Sequence, residues 1–127
     1  MSCVIDPVSE FSYYEFTKTY IRKSKKTHTC NECNREISPG ENYEYLVGKF
    51  DGKFYQQHTC MDCLSLRNTF FCSWYSERLW EDFSEYLEKW WYSDSDKLYK
   101  IENLTKRARN MVLEMIDKLE SGQQLSP

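Results

Sequence analysis

The chain writes nearly the same hexapeptide twice, "HTCNEC" at His28–Cys33 and "HTCMDC" at His58–Cys63. Each copy ends in two cysteines with two residues between them. At that spacing both sulfurs reach one ion, because the intervening backbone turns tightly and aims its N–H groups at them. One pair supplies half a tetrahedron. Cys30, Cys33, Cys60 and Cys63 together supply all of it, which predicts one Zn2+ per chain held by four thiolates. Four unrelated buried thiols do not account for two matched pairs. A redox C-x-x-C needs a single pair on a βαβ background, and the sequence has none.

His28 and His58 each stand two residues before the first cysteine of a pair. Six candidate ligands then compete for four positions. Four thiolates close the site, so both histidines are expected outside the coordination sphere, with His58 the better reserve ligand because it ends a strand. An imidazole N–H donated to a sulfur, helped by Lys25, Lys26 and Arg35, would moderate the negative charge of such a centre. Cys3 and Cys72 are left over. Cys72, within "FFCSWY", reads as a buried thiol, and Cys3 lies near a mobile terminus. The start "MSCVIDPVSE" lacks the basic and apolar stretches of a signal peptide, and no apolar run is long enough to span a membrane. A cytoplasmic location is the default, and there cysteines are expected as ligands or free thiols rather than disulfides.

The hydrophobic pattern predicts an α+β fold. Residues 1–15 read as an irregular arm, and "YEFTKTYIRK" from Tyr14 as a strand. Pro39-Gly40 marks a turn, and "YEYLVGKFDGKFYQQ" reads as a hairpin turning at Asp51-Gly52, a type I′ pair. After Cys63 the period changes. Leu79, Trp80, Phe83, Tyr86, Leu87, Trp90 and Trp91 recur at helical spacing, and a second stripe runs from Leu98 through Ile101, Leu104, Ala108, Met111, Val112, Met115 and Ile116 to Leu119. Asp94 or Ser95 is placed to cap the second helix, Gly122 stops it, and "QQLSP" is expected to fray. The expected order is strand arm, zinc knuckle, β-hairpin and helix, a treble-clef-like module over residues 1–72. A helical hairpin over residues 73–127 packs on it to make one compact domain.

"KKTHTCNECNREISPGENYEYLVGKFDGKFYQQHTCMDC" resembles a family of small zinc-binding proteins of bacteriophages and prophages. The shared features are a basic lead-in, a C-x-x-C, an "I-x-x-G-E-x-Y" turn, a "DG" hairpin and a closing C-x-x-C. The resemblance covers about Tyr20 to about Leu66, half of the chain. It implies a phage or mobile-element setting, hence a host cytoplasm, and no single activity.

Three functional classes compete. A nuclease of the HNH type needs a histidine base on the hairpin, and none occurs between Asn34 and Gln57. Asn68 alone does not replace it, and a closed four-thiolate site leaves no position for water. A non-enzyme is therefore expected, an HNH-like relic being the weakest alternative. Nucleic-acid binding draws on Lys18, Tyr20, Arg22, Lys23, Lys25 and Lys26 before the first pair, and on Lys97, Lys100, Lys106, Arg107 and Arg109 later, although such charges also simply solvate exposed faces. The net charge of -3 means that any such surface must be local. Protein binding draws on an acidic helix face with Glu77, Glu81, Asp82, Glu85 and Glu88 beside Trp90, Trp91 and Tyr92. The leading expectation is a phage-encoded accessory protein that binds a host protein complex, such as a defence system or nucleic-acid enzyme, with inhibition as one outcome. Trp91, Tyr92, Glu81, Glu85 and Glu88 would form its interface, while Leu79, Phe83, Trp90, Leu98, Ile101 and Met115 pack inward. Direct DNA or RNA binding through Arg22, Lys23, Lys25 and Lys26 is the alternative. Neither a membrane nor a small-molecule substrate is expected.

Overall fold

The Asp51-Gly52 pair does what its chemistry dictates. Both residues take positive φ, 50° and 75°, and the chain reverses in two residues between Phe50 and Lys53. In the computed structural model, which describes residues 3–7, 14–95 and 97–122, this turn joins β4 (Asn42–Phe50) to β5 (Lys53–Cys60). Strand β1 (Phe16–Lys23) pairs antiparallel with the far edge of β4, giving the order β1-β4-β5. Two short strands, β2 (His28–Thr29) and β3 (Glu36–Ile37), pair around the first cysteine knuckle. Between β3 and β4, Gly40 takes φ 89° and the Glu41 N–H donates to the Ser38 carbonyl at 3.0 Å, closing the expected Pro39-Gly40 turn.

Alternation along β4 gives the sheet two different faces. Glu44, Leu46 and Gly48 turn to one side and are buried. There α1 (Met61–Phe70) packs, and its Arg67 forms a buried ion pair with Glu44 while lying 3.9 Å over the Trp74 ring. Gly48 is needed for space: a Cβ at that position would meet the Tyr14 ring at 2.6 Å. The opposite face is left largely to solvent, and every residue of β1 is exposed.

The helical half supplies most of the core. After α1 come α2 (Leu79–Trp90), a 3-10 turn (Trp91–Ser93), α3 (Lys97–Glu102) and α4 (Lys106–Glu120). Leu66, Phe70, Phe83, Leu87, Ala108 and Val112 are fully enclosed and belong to the same apolar cluster as Cys30, Cys60 and Cys63. The cysteine centre is thus part of the core that the helices build. Among the described residues no helix is long and apolar enough to cross a membrane.

Four expectations are corrected here. The helical hairpin is more divided than its periodicity implies, because the stripe from Leu98 to Leu119 breaks after Glu102. Thr105 restarts the chain as N-cap of α4, its hydroxyl accepting from the Ala108 N–H, while Leu104 stays buried at the break. The two tryptophans exchange roles: Trp91 is 5% exposed and Trp90 61%. An ideal helical wheel puts Trp90 inward, but the backbone leaves helical geometry there (φ −127°, ψ −5°) and the 3-10 turn swings Trp91 into the core. Leu98, at the start of the short α3, faces outward. Lastly, Cys3 and Cys72 are joined in a disulfide with Cα atoms 5.3 Å apart. Cys72 is exposed, because Phe70 and Phe71 take the interior positions beside it. Val4 and Ile5 donate to the Phe70 carbonyl and Cys72 donates back to Ile5, which docks the N-terminal segment there. Residues 8–13 of the expected arm and the "QQLSP" tail lie outside the described residues.

Candidate metal centre

Each cysteine pair is presented by a local turn. In the first knuckle the Cys30 N–H donates to the Arg35 carbonyl and the Asn34 N–H to the Cys30 carbonyl. Asn34 takes φ 65°, a left-handed turn that asparagine tolerates better than most residues. The second pair straddles the junction of β5 and α1. Cys60 ends the strand and is the N-cap of the helix, its sulfur accepting from the Cys63 N–H at 3.4 Å. The knuckle is clamped to β5 by a reciprocal bond: the Asn31 N–H donates to the His58 carbonyl at 2.8 Å, and the His58 N–H to Asn31 Oδ1 at 2.6 Å.

These turns bring the four sulfurs to one point. Cys30 Sγ lies 3.9 Å from Cys63 Sγ, and Cys33 Sγ 3.8 Å from Cys60 Sγ. All four fall within 4.8 Å of one another, close enough to hold one metal ion. Sulfurs at about 2.3 Å from a common tetrahedral centre stand about 3.8 Å apart, so the spacing fits the donor set. Cys30, Cys60 and Cys63 are buried and Cys33 is partly covered.

The thiols interact strongly with one another. Cys33 is pulled far below the ordinary thiol range, first by its hydrogen bond with Cys30 and then by those with Cys60 and Cys63. Cys30 settles at about 6, where an opposing push from Cys33 is outweighed by Cys60, Cys63 and the Cys60 N–H. Cys60 and Cys63 are pushed up, by Cys30 and then Cys33 in each case. The four thiols titrate as one interacting set, and a bound cation would favour the thiolate form of all of them.

The surrounding donors answer that charge. The Cys60 N–H reaches Cys30 Sγ at 3.3 Å, and the Trp80 indole N–H reaches Cys63 Sγ at 3.2 Å. The Arg107 guanidinium lies 4.0 Å from Cys33 Sγ and 3.3 Å from Asp62, which also binds Arg35 at 3.1 Å. Arg35, expected to moderate the charge of the centre, pairs with Glu41 and Asp62 beside it, while Lys25 and Lys26 line the cavity by the histidines. Trp80 and Arg107 were not foreseen as sulfur partners, since nothing local in the sequence links them to the cysteines. Glu32, inside the first knuckle, holds α2 in place: its carboxylate accepts from the N–H groups of Glu77 and Leu79 at 3.1 Å each. Burial raises the Glu32 pKa, against the pull of those two bonds.

The histidines form a different structure. Their rings stack on each other, centroids 4.2 Å apart and 18° from parallel, with Tyr43 and Tyr45 beside them. Burial, and then His28, Lys26 and Arg22, lower the His58 pKa. The repeated His-Thr-Cys thus places one ring from each knuckle in a shared stack. That stack forms part of the wall of a cavity of about 650 Å3, also lined by Arg22, Lys23, Lys25 and Lys26. The four basic residues proposed from sequence for nucleic acid do converge.

Other candidates do not converge. Trp91 is interior and unavailable as an interface anchor, while Tyr92, Glu81, Glu85 and Glu88 are exposed. The later basic residues are largely engaged. Lys100 is 1% exposed and bound to Asp94 at 2.7 Å, and Arg109 donates to the Ile101, Glu102 and Leu104 carbonyls at the end of α3. Comparison with protein-family models, with curated proteins and with solved structures finds no match.

Proposed function

We propose that Cys30, Cys33, Cys60 and Cys63 hold one zinc ion as a closed structural site, and that the protein is a non-enzymatic, zinc-stabilised module that binds nucleic acid. The sulfur spacing and the all-thiolate donor set support zinc, and four thiolates leave no coordination position for water or substrate. Knuckle, hairpin and a second pair opening α1 follow one another in treble-clef order. The observation that carries the nucleic-acid reading is the cavity where Arg22, Lys23, Lys25 and Lys26 meet the stacked His28 and His58. Clustered cations at one concave site give a polyanion several contacts at once despite the overall charge of -3. The likeness of residues about 20–66 to small phage zinc proteins supports a phage or mobile-element setting.

The test combines metal analysis with titration of a fluorescent oligonucleotide at several salt concentrations. About one zinc per chain and an affinity falling steeply with salt are expected. Charge reversal as Lys23→Glu with Lys25→Glu should abolish binding while leaving zinc in place. Metal-free protein with an unchanged melting profile would remove the zinc reading.

A second reading, an accessory protein that binds and inhibits a host protein complex, rests on a different surface from the one expected. Trp90, Tyr92, Leu98 and Tyr99 are all exposed around the break after α2, near the acidic Glu85 and Glu88. Affinity capture from bacterial lysate separates the readings. Capture that survives nuclease and is lost with Trp90→Ala favours the protein partner.

A further inference from the structure

The side of the sheet facing away from α1 has an uncommon composition for a surface. Directly opposed residues of neighbouring antiparallel strands point to the same side, so the register gives its rows. Phe16, Lys49 and Phe54 form one row, Lys18, Val47 and Gln56 the next, then Tyr20, Tyr45 and His58, and Arg22 with Tyr43 the last. Ring contacts agree with that register: Phe16 and Phe54 centroids lie 6.1 Å apart, and Arg22 sits 4.0 Å over the Tyr45 ring and 5.5 Å from that of Tyr20. Along β1 rings and cations alternate as Phe16, Lys18, Tyr20 and Arg22, and across the sheet Lys49 stands between Phe16 and Phe54. The three strands of this sheet contain a single carboxylate, Glu44, which faces the other side against Arg67, while Glu15, just before β1, pairs with Lys49 at 3.6 Å.

Phe16, Tyr20 and Phe54 are exposed, Phe54 to 64%. Phe16 and Phe54 touch edge to face, Lys18 stands between Phe16 and Tyr20, and Lys49 and Arg22 flank them, so the rings are bordered by cations instead of forming one broad apolar patch, which disfavours a protein interface with a dry centre. Exposed rings on a sheet surface offer π-faces to unpaired bases, and the neighbouring cations suit the phosphates that join those bases. A duplex keeps its bases stacked on each other and has no use for the rings. From Phe16 to Arg22 the platform runs roughly 20 Å at strand rise, and its far end opens into the basic cavity.

We propose that this face is a stacking platform for single-stranded nucleic acid, with the strand passing from the cavity at His28 and His58 along β1 towards Phe16 and Phe54. This rests on the nucleic-acid reading above and narrows it to unpaired strands. The metal centre matters to it indirectly: the first knuckle carries His28, and Asn31 ties that knuckle to His58 on β5.

The experiment is fluorescence anisotropy on the full chain with labelled single-stranded DNA, single-stranded RNA and the matching duplexes, all of mixed sequence. Single strands of one or both kinds should bind at least about tenfold tighter than duplex. Phe54→Ala and Tyr20→Ala should each weaken single-strand binding about tenfold, as expected for loss of one stacked base. Phe54→Leu should lose as much, since it keeps apolar bulk and removes the ring. Zinc content and melting temperature check that these exposed substitutions leave the fold intact. Equal binding of duplex, sensitive to Lys23→Glu but indifferent to Phe54→Ala and Tyr20→Ala, overturns the platform and keeps the nucleic-acid reading. No binding of any oligonucleotide by the zinc-loaded protein at low salt overturns both. Capture of a protein from nuclease-treated lysate that is lost with Phe54→Ala assigns the face to a protein and also overturns the proposal.

Discussion

The four-cysteine centre and the Tyr86–Asp94–Lys100 cluster are both buried polar assemblies, yet only the second closes on itself. Asp94 accepts from the Tyr86 hydroxyl and from the Lys100 ammonium, so one negative and one positive charge meet inside the helical half. Burial, with help from the Asp94 carboxylate, raises the Tyr86 pKa and keeps it a neutral donor. The cysteine centre brings together four groups of one chemical kind that all carry negative charge when ionised. Arg107 stands 4.0 Å from Cys33 Sγ and Arg35 pairs with Asp62 close by, and a bound cation would compensate the charge of four thiolates. On the zinc proposal the two assemblies differ in what completes them: an ion for the cysteines, and side chains already in the chain for the helical cluster.

The strongest way to test this contrast is to remove the ion. Cys63→Ser, or a strong chelator, should abolish cooperative folding around the knuckles, because structural zinc contributes on the order of 10 kcal/mol in small modules. Circular dichroism and metal analysis on the same samples measure it. An unaltered thermal transition after complete zinc loss would mean that the helices alone hold the chain.

Breaking the self-contained cluster comes next. Asp94→Ala leaves the Lys100 ammonium buried without its partner and should cost about 3–5 kcal/mol in denaturant unfolding, with zinc content unchanged. A loss of zinc in that variant would show that the two assemblies are coupled through the core. The tryptophan pair sharpens the same boundary. Trp91→Ala empties a core position and should cost about 3 kcal/mol, while the exposed Trp90→Ala stays within about 0.5 kcal/mol. The reverse ranking would put Trp90 in the core, as the helical wheel has it.

The smallest effect is expected at the histidines. His58→Ala should retain its zinc, since the sulfurs alone form the ion-sized cluster and the imidazoles stack on each other instead. Zinc released by this substitution alone would make His58 a ligand and displace one cysteine from the set.

Local chemistry was enough to place much of this protein. The C-x-x-C spacing, the Asp51-Gly52 hairpin, the Pro39-Gly40 turn and the α2 stripe as far as Leu87 all rest on interactions a few residues long, and each stands where the sequence puts it. What the sequence left open depends on partners far along the chain. Cys3 meets Cys72 across 69 residues because the N-terminal segment docks beside the end of α1. Trp80 and Arg107 reach the sulfurs from α2 and α4, and Lys100 is interior although its sequence neighbourhood is that of a basic surface helix. Helical periodicity predicted one stripe from Leu98 to Leu119. It could not register that Thr105 finds partners on α1, its N–H donating to Ser65 Oγ and its hydroxyl to Asp62, which fixes the break at that point. The repeated His-Thr-Cys contains both lessons. Its cysteines were readable at once, because metal geometry fixes their spacing. The meaning of its histidines waited for the tertiary structure, since a ring stack forms only after two knuckles 30 residues apart are drawn to the same point.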